Sequence, residues 1–256
     1  MSADPRRMRL DALLVHRGLV ESRERARALI LAGKVQVTGQ PSLKAGSPVA
    51  TDAEIIVAEP EHPWVSRGGI KLAHALEVFG IDVSGCLGLD IGASTGGFTD
   101  VLLQRGARHV IALDVGHNQL HWKMRSDPRV TVIEGVNARA LAAADLPGLG
   151  AGANIVTVDV SFISLRLILP VIPALLAPAA NIVTLIKPQF EAGREDVGRG
   201  GLVKDPAVHE RVVAEVSAAA ATVGLRRLAL IDSPITGAEG NREFLMHLVA
   251  MDPERR

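Results

Sequence analysis

Four charged residues stand where apolar runs begin or end. Lys71 closes Ser66-Arg-Gly-Gly-Ile-Lys, Asp159 lies in Val158-Asp-Val-Ser-Phe, Lys187 opens Lys187-Pro-Gln-Phe-Glu, and Glu243 lies in Gly240-Asn-Arg-Glu-Phe. Each alone has a bland reading, because a lysine at a strand end is usually solvated and an aspartate there often caps the next helix or joins a structural ion pair. Two lysines and two carboxylates at one point are a different matter. A free lysine, with a pKa near ~10.4, is a poor base until desolvation or a neighbouring cation lowers it. Two lysines brought together lower one another's proton affinity while two carboxylates orient them. Such a cluster suits removal of a proton from a weak nucleophile.

A second feature could hold the other reactant. Asp90-Ile-Gly-Ala-Ser-Thr-Gly-Gly-Phe-Thr reads as a glycine-rich turn between a strand and a helix. Gly92, Gly96 and Gly97 permit positive φ and close approach to the backbone. The spacing is not Gly-x-Gly-x-x-Gly, and no Lys-Ser/Thr follows, which argues against dinucleotides and nucleoside triphosphates. Asp90 is a poor neighbour for phosphate and a good one for a cation; the sulfonium and amino group of S-adenosylmethionine have that sign. Asp114 ends the next strand, where a carboxylate can accept both hydroxyls of an adenosine ribose. The candidate cofactor residues are thus Asp90, Gly92, Ala93, Ser94, Thr95, Gly96, Gly97, Phe98, Asp114 and Asn137. The competing reading of the glycines is tight helix–sheet packing. Cys86 is the only cysteine, which excludes an intrachain disulfide and a Cys-rich metal site, and no metal is expected.

The elements that must position these groups alternate. Strands are predicted over 87–91, 110–114, 130–133, 154–159, 182–186, 227–231 and 244–249, with helices over 98–106 and 207–223. This is an α/β pattern with a seven-stranded, mostly parallel sheet that binds ligands beyond its strands' carboxyl ends. The last two strands have no helix between them, so an antiparallel hairpin is expected there. The apolar run 167–186 is long enough to span a membrane. Pro170, Pro173 and Pro178 interrupt it, and a proline inside a helix costs ~3 kcal/mol. A short helix, a turn and a buried strand fit the run better. The N-terminus shows no signal peptide, and with the scarcity of cysteine this points to the cytoplasm.

The net charge is zero, yet residues 1–49 hold nine Lys and Arg against four Asp and Glu. A basic end on a neutral chain suggests a polyanionic partner or a solvated helix face. Leu10, Leu13 and Leu14 share one helical face ended by Gly18, and Ser22 can cap a second helix ended by Gly33. A strand over 34–38 and another at 55–57 follow. Ser22 to Gly39 resembles the core of the small RNA-binding domain named after ribosomal protein S4. The resemblance implies RNA contacts at Arg6, Arg9, Arg17, Arg23, Arg27, Lys34 and Lys44; Arg67, four residues before Lys71, is a further candidate RNA contact. The domains expected are 1–60, S4-like, and 67–256, with a linker at 61–66.

The tetrad Lys71, Asp159, Lys187 and Glu243 resembles that of ribose 2′-O-methyltransferases of the FtsJ type. Trp64-Val-Ser-Arg-Gly-Gly, the glycine loop, Asp159-Val-Ser-Phe-Ile-Ser and Lys187-Pro-Gln-Phe-Glu are similar to the signature blocks of the TlyA family, some of whose members bear the name hemolysin. Gly69 and Ile70 depart from that family, which more often has Ala and a polar residue there. The resemblance implies a Rossmann-like class I S-adenosylmethionine-dependent methyltransferase fold and a small N-terminal α+β domain. It further implies 2′-O-methylation of cytidine in ribosomal RNA of the large subunit, with the small subunit a further possible target. Lys187 is then the base, with Lys71 stabilising the developing alkoxide. The absence of tyrosine excludes the Asn-Pro-Pro-Tyr motif of base methyltransferases. The rival readings are a membrane-active hemolysin, a ribosome-binding factor that has lost catalysis, and a pseudouridine synthase, which would have no use for the glycine loop.

Overall fold

A computed structural model describes residues 7–20, 22–58, 62–237 and 239–251. The chain forms two compact units, Met1–Pro63 and Trp64–Arg256.

In the smaller unit, β1 (Arg7–Arg9) leads into α1 (Leu10–His16) and α2 (Arg23–Leu31), followed by β2 (Val35–Val37), β3 (Pro48–Ala50) and β4 (Ile55–Val57). The Ser22 hydroxyl accepts from the Arg25 amide at 3.1 Å and caps α2. Leu10, Leu13 and Leu14 are fully buried, with Ala26, Val37 and Val49 in the same core. The antiparallel β2–β4 ladder joins the two predicted strands. The β1–β3 ladder is additional; three residues are too few to show a period of two.

The larger unit contains α3 (Gly68–Phe79), β5 (Leu87–Ile91), α4 (Gly97–Gln104), β6 (His109–Asp114), α5 (Trp122–Arg125), β7 (Val130–Glu134), β8 (Ala153–Val158), β9 (Leu176–Ile186), α6 (Pro188–Glu191), α7 (Pro206–Thr222), β10 (Leu225–Asp232) and β11 (Phe244–Ala250). The sheet order is β10-β11-β9-β8-β5-β6-β7. Strands β5 to β9 run parallel, while β11 lies antiparallel between β9 and β10. Every residue of β5 is buried, as a central strand covered on both faces requires. One face packs on α7 and the segment after β8, the other on α3 and α4. The apolar, proline-broken run forms 3₁₀ turns at Leu165–Leu167 and Leu169–Leu175 and then enters β9. Among the described residues, no helix is long and apolar enough to cross a membrane.

The segment read as a linker divides between the units. Trp64 and Val65 pack against the core beneath α3 and α4, and the Val65 amide donates to Asp100 Oδ2 at 2.9 Å. A Cβ on Gly69 would lie 2.4 Å from Trp64 Cβ. The indole therefore sits where an alanine methyl would be, which accounts for glycine at this position.

Candidate active site

The sheet's carboxyl ends gather the charged residues. β11 runs antiparallel to β9 with Phe244 opposite Ile186. Glu243, just before Phe244, and Lys187, just after Ile186, therefore meet at one end. Asp159 follows β8, whose neighbours are β5 and β9, and its amide donates to the Ile91 carbonyl at 3.0 Å. Lys71 reaches in from the first turn of α3.

The four residues form two ion pairs. Lys71 Nζ pairs with Glu243 Oε2, both side chains buried. Lys187 Nζ lies 2.5 Å from Asp159 Oδ1 and donates to Ser161 Oγ at 2.9 Å. Lys71, Asp159 and Lys187 line one cavity of about 240 Å³ together with Ser66, Arg67 and Thr236. Glu243 lies behind Lys71, outside the cavity lining. Each lysine thus has its own carboxylate, and Ser161 adds a hydroxyl to which the sequence reading gave no role. The signal for it was available, since Ser161 sits two residues after Asp159 in a quoted block. Nothing in its local pattern pointed to a contact 26 residues along the chain.

A second cleft of about 400 Å³ adjoins the first and shares Gly92, Ser94, Asp159 and Ser161 with it. Leu113, Val136, Ile163 and Ile168 give it apolar walls, and Asp114, Gln119 and Asn137 supply polar groups. The Asp114 carboxylate is held by backbone donors, from Ser94 at 2.8 Å and Gly116 at 2.7 Å. An ionised carboxylate has about four acceptor sites, so it can still take two hydroxyls. Asn137 Oδ1 accepts from the Arg139 amide at 3.0 Å, and Asn137 lines the cleft. The sequence reading missed Val136, Ile163 and Ile168, because apolar side chains facing a cleft and apolar side chains facing a core look the same in sequence.

Not every expected contact reaches the cleft. Asp90 is fully buried, with Oδ2 accepting from Thr99 Oγ1 at 2.7 Å and Oδ1 from Thr157 Oγ1 at 2.8 Å. It lines neither cavity. Burial raises its pKa to about 6, assisted by the negative charge of Asp159 and opposed by the threonine hydroxyls. Its role in the fold is to tie α4 to β8 beneath the loop. Gly96 also stays outside both linings, whereas Gly92, Ala93, Ser94, Thr95, Gly97 and Phe98 line one or both.

The glycines serve packing as well as ligand approach. Gly92 has φ +85°, and a Cβ there would lie 2.4 Å from the Asp159 carbonyl oxygen. A Cβ on Gly97 would lie 2.3 Å from Ser66 Oγ. The loop is thus locked against the segments that carry Asp159 and Lys71.

In the smaller unit, Arg9, Arg23 and Arg27 converge on one buried carboxylate, Asp11. Their hydrogen bonds, Arg9's foremost, hold that carboxyl well below the usual range despite burial. Arg17 does not join them. Its guanidinium donates to the Ala53 carbonyl at 2.6 Å and to that of Thr51. Lys34 is half-buried and Lys44 exposed; Arg6 lies outside the described residues.

Comparison with known proteins agrees with this geometry. Residues 64–250 match the FtsJ-like methyltransferase family model, and residues 8–55 match the S4 domain. The chain is 48% identical over 244 residues to the 16S/23S rRNA (cytidine-2′-O)-methyltransferase TlyA of Mycobacterium tuberculosis, covering 95% of this chain and 90% of that one. It is 42% identical to Hemolysin A of Brachyspira hyodysenteriae, covering 94% of this chain and 100% of the relative. A solved structure from Streptococcus thermophilus, described as a hemolysin, superposes with a TM-score of 0.74 at 43% identity, covering 97% of this chain and 90% of that one. Two ion pairs at the carboxyl end of this sheet, a locked glycine loop beside them and matches across both units lead to one conclusion: the chain belongs to the FtsJ-like methyltransferase family and carries an S4 domain ahead of its methyltransferase unit.

Proposed function

We propose that this chain transfers a methyl group from S-adenosylmethionine to the ribose 2′-hydroxyl of a cytidine in ribosomal RNA. The observation that carries the reading is the convergence of Lys71–Glu243 and Lys187–Asp159 on a cavity adjoining the Asp114 cleft. The cleft suits the cofactor: its volume falls in the ~300–1,000 Å³ range of small-molecule sites, and it pairs apolar walls with the Asp114 carboxylate at the end of β6. Asp114 would hold the ribose hydroxyls, Val136, Ile163 and Ile168 would flank the adenine, and the loop at Ser94 and Thr95 would meet the amino-acid portion. When bound, S-adenosylmethionine supplies an electrophilic methyl group on its sulfonium.

The residues do the rest. Lys187 takes the ribose hydroxyl proton as the oxygen attacks, with Asp159 and Ser161 fixing its amine. Lys71, held by Glu243, offsets charge building on that oxygen. Holding oxygen and methyl in line can itself supply ~7–11 kcal/mol. RNA is held through the basic face of the smaller unit at Arg9, Arg23 and Arg27, with Lys34 and Lys44 beside the S4 core and Arg67 at the mouth of the cavity. The substrate assignment draws on the M. tuberculosis relative, whose name specifies cytidine 2′-O-methylation in 16S and 23S RNA.

The test supplies labelled S-adenosylmethionine and isolated ribosomal subunits from an unmethylated strain, then maps the modified nucleotide. A 2′-O-methylcytidine is expected; label on a base overturns the reading. Lys187→Ala and Asp159→Ala should abolish transfer while calorimetry still records cofactor binding. Near-normal turnover in either sinks the catalytic assignment.

A further inference from the structure

We propose that Asp11 is a positioning residue for RNA. By this inference, the buried carboxylate gathers Arg9, Arg23 and Arg27 into a single phosphate-binding face, so that removing this negative charge weakens binding to a polyanion. The inference rests on the proposed RNA face of the smaller unit.

The geometry is specific. Arg9 donates Nε and Nη2 to the two oxygens of Asp11 at 3.1 and 3.0 Å. Arg23 donates Nη2 at 3.1 Å, and Arg27 donates Nε at 3.3 Å, both to Oδ2. Asp11 itself has no exposed surface, whereas the three arginine side chains are 51–55% exposed. The carboxylate therefore sits beneath the guanidiniums and touches no solvent. Each arginine spends only part of its five-donor fork on Asp11, and about half of each arginine side chain remains exposed. Three cations on one anion leave an excess of two positive charges.

The residues come from three places, the end of β1, the first turn of α1 and the first half of α2. Arg23 and Arg27, four residues apart, share one face of α2, but no local periodicity brings Arg9 and Asp11 to them. Without the anion, three guanidiniums at this spacing repel. Arginine side chains carry about 2 kcal/mol of rotamer entropy, so a face that is already ordered binds phosphate at lower cost. The opposing expectation is plain charge counting. Loss of one acidic group makes the domain more basic and should tighten binding to any polyanion.

The experiment uses the full chain and an unmodified 23S ribosomal RNA transcript, with anisotropy titrations from about 50 to 200 mM KCl, a range over which phosphate contacts are lost. The Arg23→Ala/Arg27→Ala double variant reports on the face itself. Asp11→Asn reports on the organiser, and the triple variant on their coupling. The proposal expects Asp11→Asn to weaken binding about tenfold, as loss of roughly two phosphate contacts would. It also expects the slope of log K against log salt to become shallower by about 1.4–1.8. The triple variant should be no weaker than the double one.

Unchanged or tighter binding by Asp11→Asn, with the arginine double variant weakened, overturns the role of Asp11 and leaves the RNA face standing. Unchanged binding by the double variant overturns the face, and the inference with it. Amide exchange in α1 and α2 checks that the unit remains folded. If Asp11→Asn loses that protection, Asp11→Glu replaces it, keeping the charge and shifting its focus by one methylene. A weaker, shallower titration is again expected, and wild-type titration overturns the role.

Discussion

Lys71 and Glu243 are 172 residues apart in the chain, yet they form a largely buried ion pair, with side chains 10% and 2% exposed and Glu243 behind the cavity wall. Removing one partner from such a pair leaves a buried charge without compensation, at a cost of about 3–5 kcal/mol. Glu243→Ala should therefore lose methyl transfer and also unfold at a distinctly lower temperature in calorimetry. The Lys187–Asp159 pair is more open, with side chains 12% and 20% exposed. Lys187→Ala should lose transfer with a much smaller drop in Tm. Equal thermal losses would mean that the two pairs do not divide in this way.

Gly92 and Gly80 both adopt positive φ, +85° and +64°, but differ in what surrounds them. A Cβ at Gly92 runs into the Asp159 carbonyl, whereas a Cβ at Gly80 meets nothing within 4 Å. Gly80→Ala should cost only the left-handed backbone strain, on the order of 1–2 kcal/mol, and leave cofactor binding intact. Gly92→Ala must push the loop away from Asp159, so S-adenosylmethionine binding in calorimetry should fall at least tenfold. A Gly92→Ala protein that binds normally would show that the loop tolerates the shift.

These contrasts mark how far the sequence could be read. The alternation of apolar runs with Gly and Pro located the strands that carry Asp90 and Asp114 and those that lead into Asp159 and Lys187, because parallel strands buried on both faces read as near-continuous apolar runs. It located the hairpin at the chain's end but not the insertion of β11 between β9 and β10, which depends on tertiary pairing. Lys71, Asp159, Lys187 and Glu243 could be picked out as a set, but which lysine pairs with which carboxylate could not. Asp90 looked like a cofactor ligand because of its place before a glycine loop. That Thr99 and Thr157 occupy its oxygens follows from packing between α4, β5 and β8, and no spacing encodes it. Asp11 was one acidic residue among basic ones until the fold buried it.

Asp90 should leave a mark on the pH dependence of stability. Its folded pKa of about 6 lies above the ordinary 3.8, so between those values the folded chain binds more protons than the unfolded one. Unfolding free energy then falls as pH rises through that window, by about 3 kcal/mol for a shift near two units, and is flat with respect to this group on either side. Asp90→Asn keeps an acceptor for one threonine and carries no charge. Its stability relative to wild type should therefore improve as pH is raised from about 4 to about 6.5. Chemical denaturation of both proteins across that range is the measurement. Parallel pH profiles would show that Asp90 stays ionised when buried.

Arg17 is the counterpart to the arginines on Asp11. It lies in the same small unit, but its guanidinium is committed to the carbonyls of Thr51 and Ala53, 34 and 36 residues away. Those carbonyls lie in the turn joining β3 to β4, so Arg17 braces the turn against the end of α1. Hydrogen bonds from a charged donor contribute about 1.5–3 kcal/mol each. Arg17→Ala should destabilise the smaller unit, read as faster amide exchange around residues 50–55. The salt slope for RNA binding, measured well below the unfolding temperature, should remain that of wild type, since no phosphate contact is removed. If instead exchange is unchanged and the slope becomes shallower by about 0.7–0.9, Arg17 contacts phosphate and its bonds to Thr51 and Ala53 give way when RNA binds.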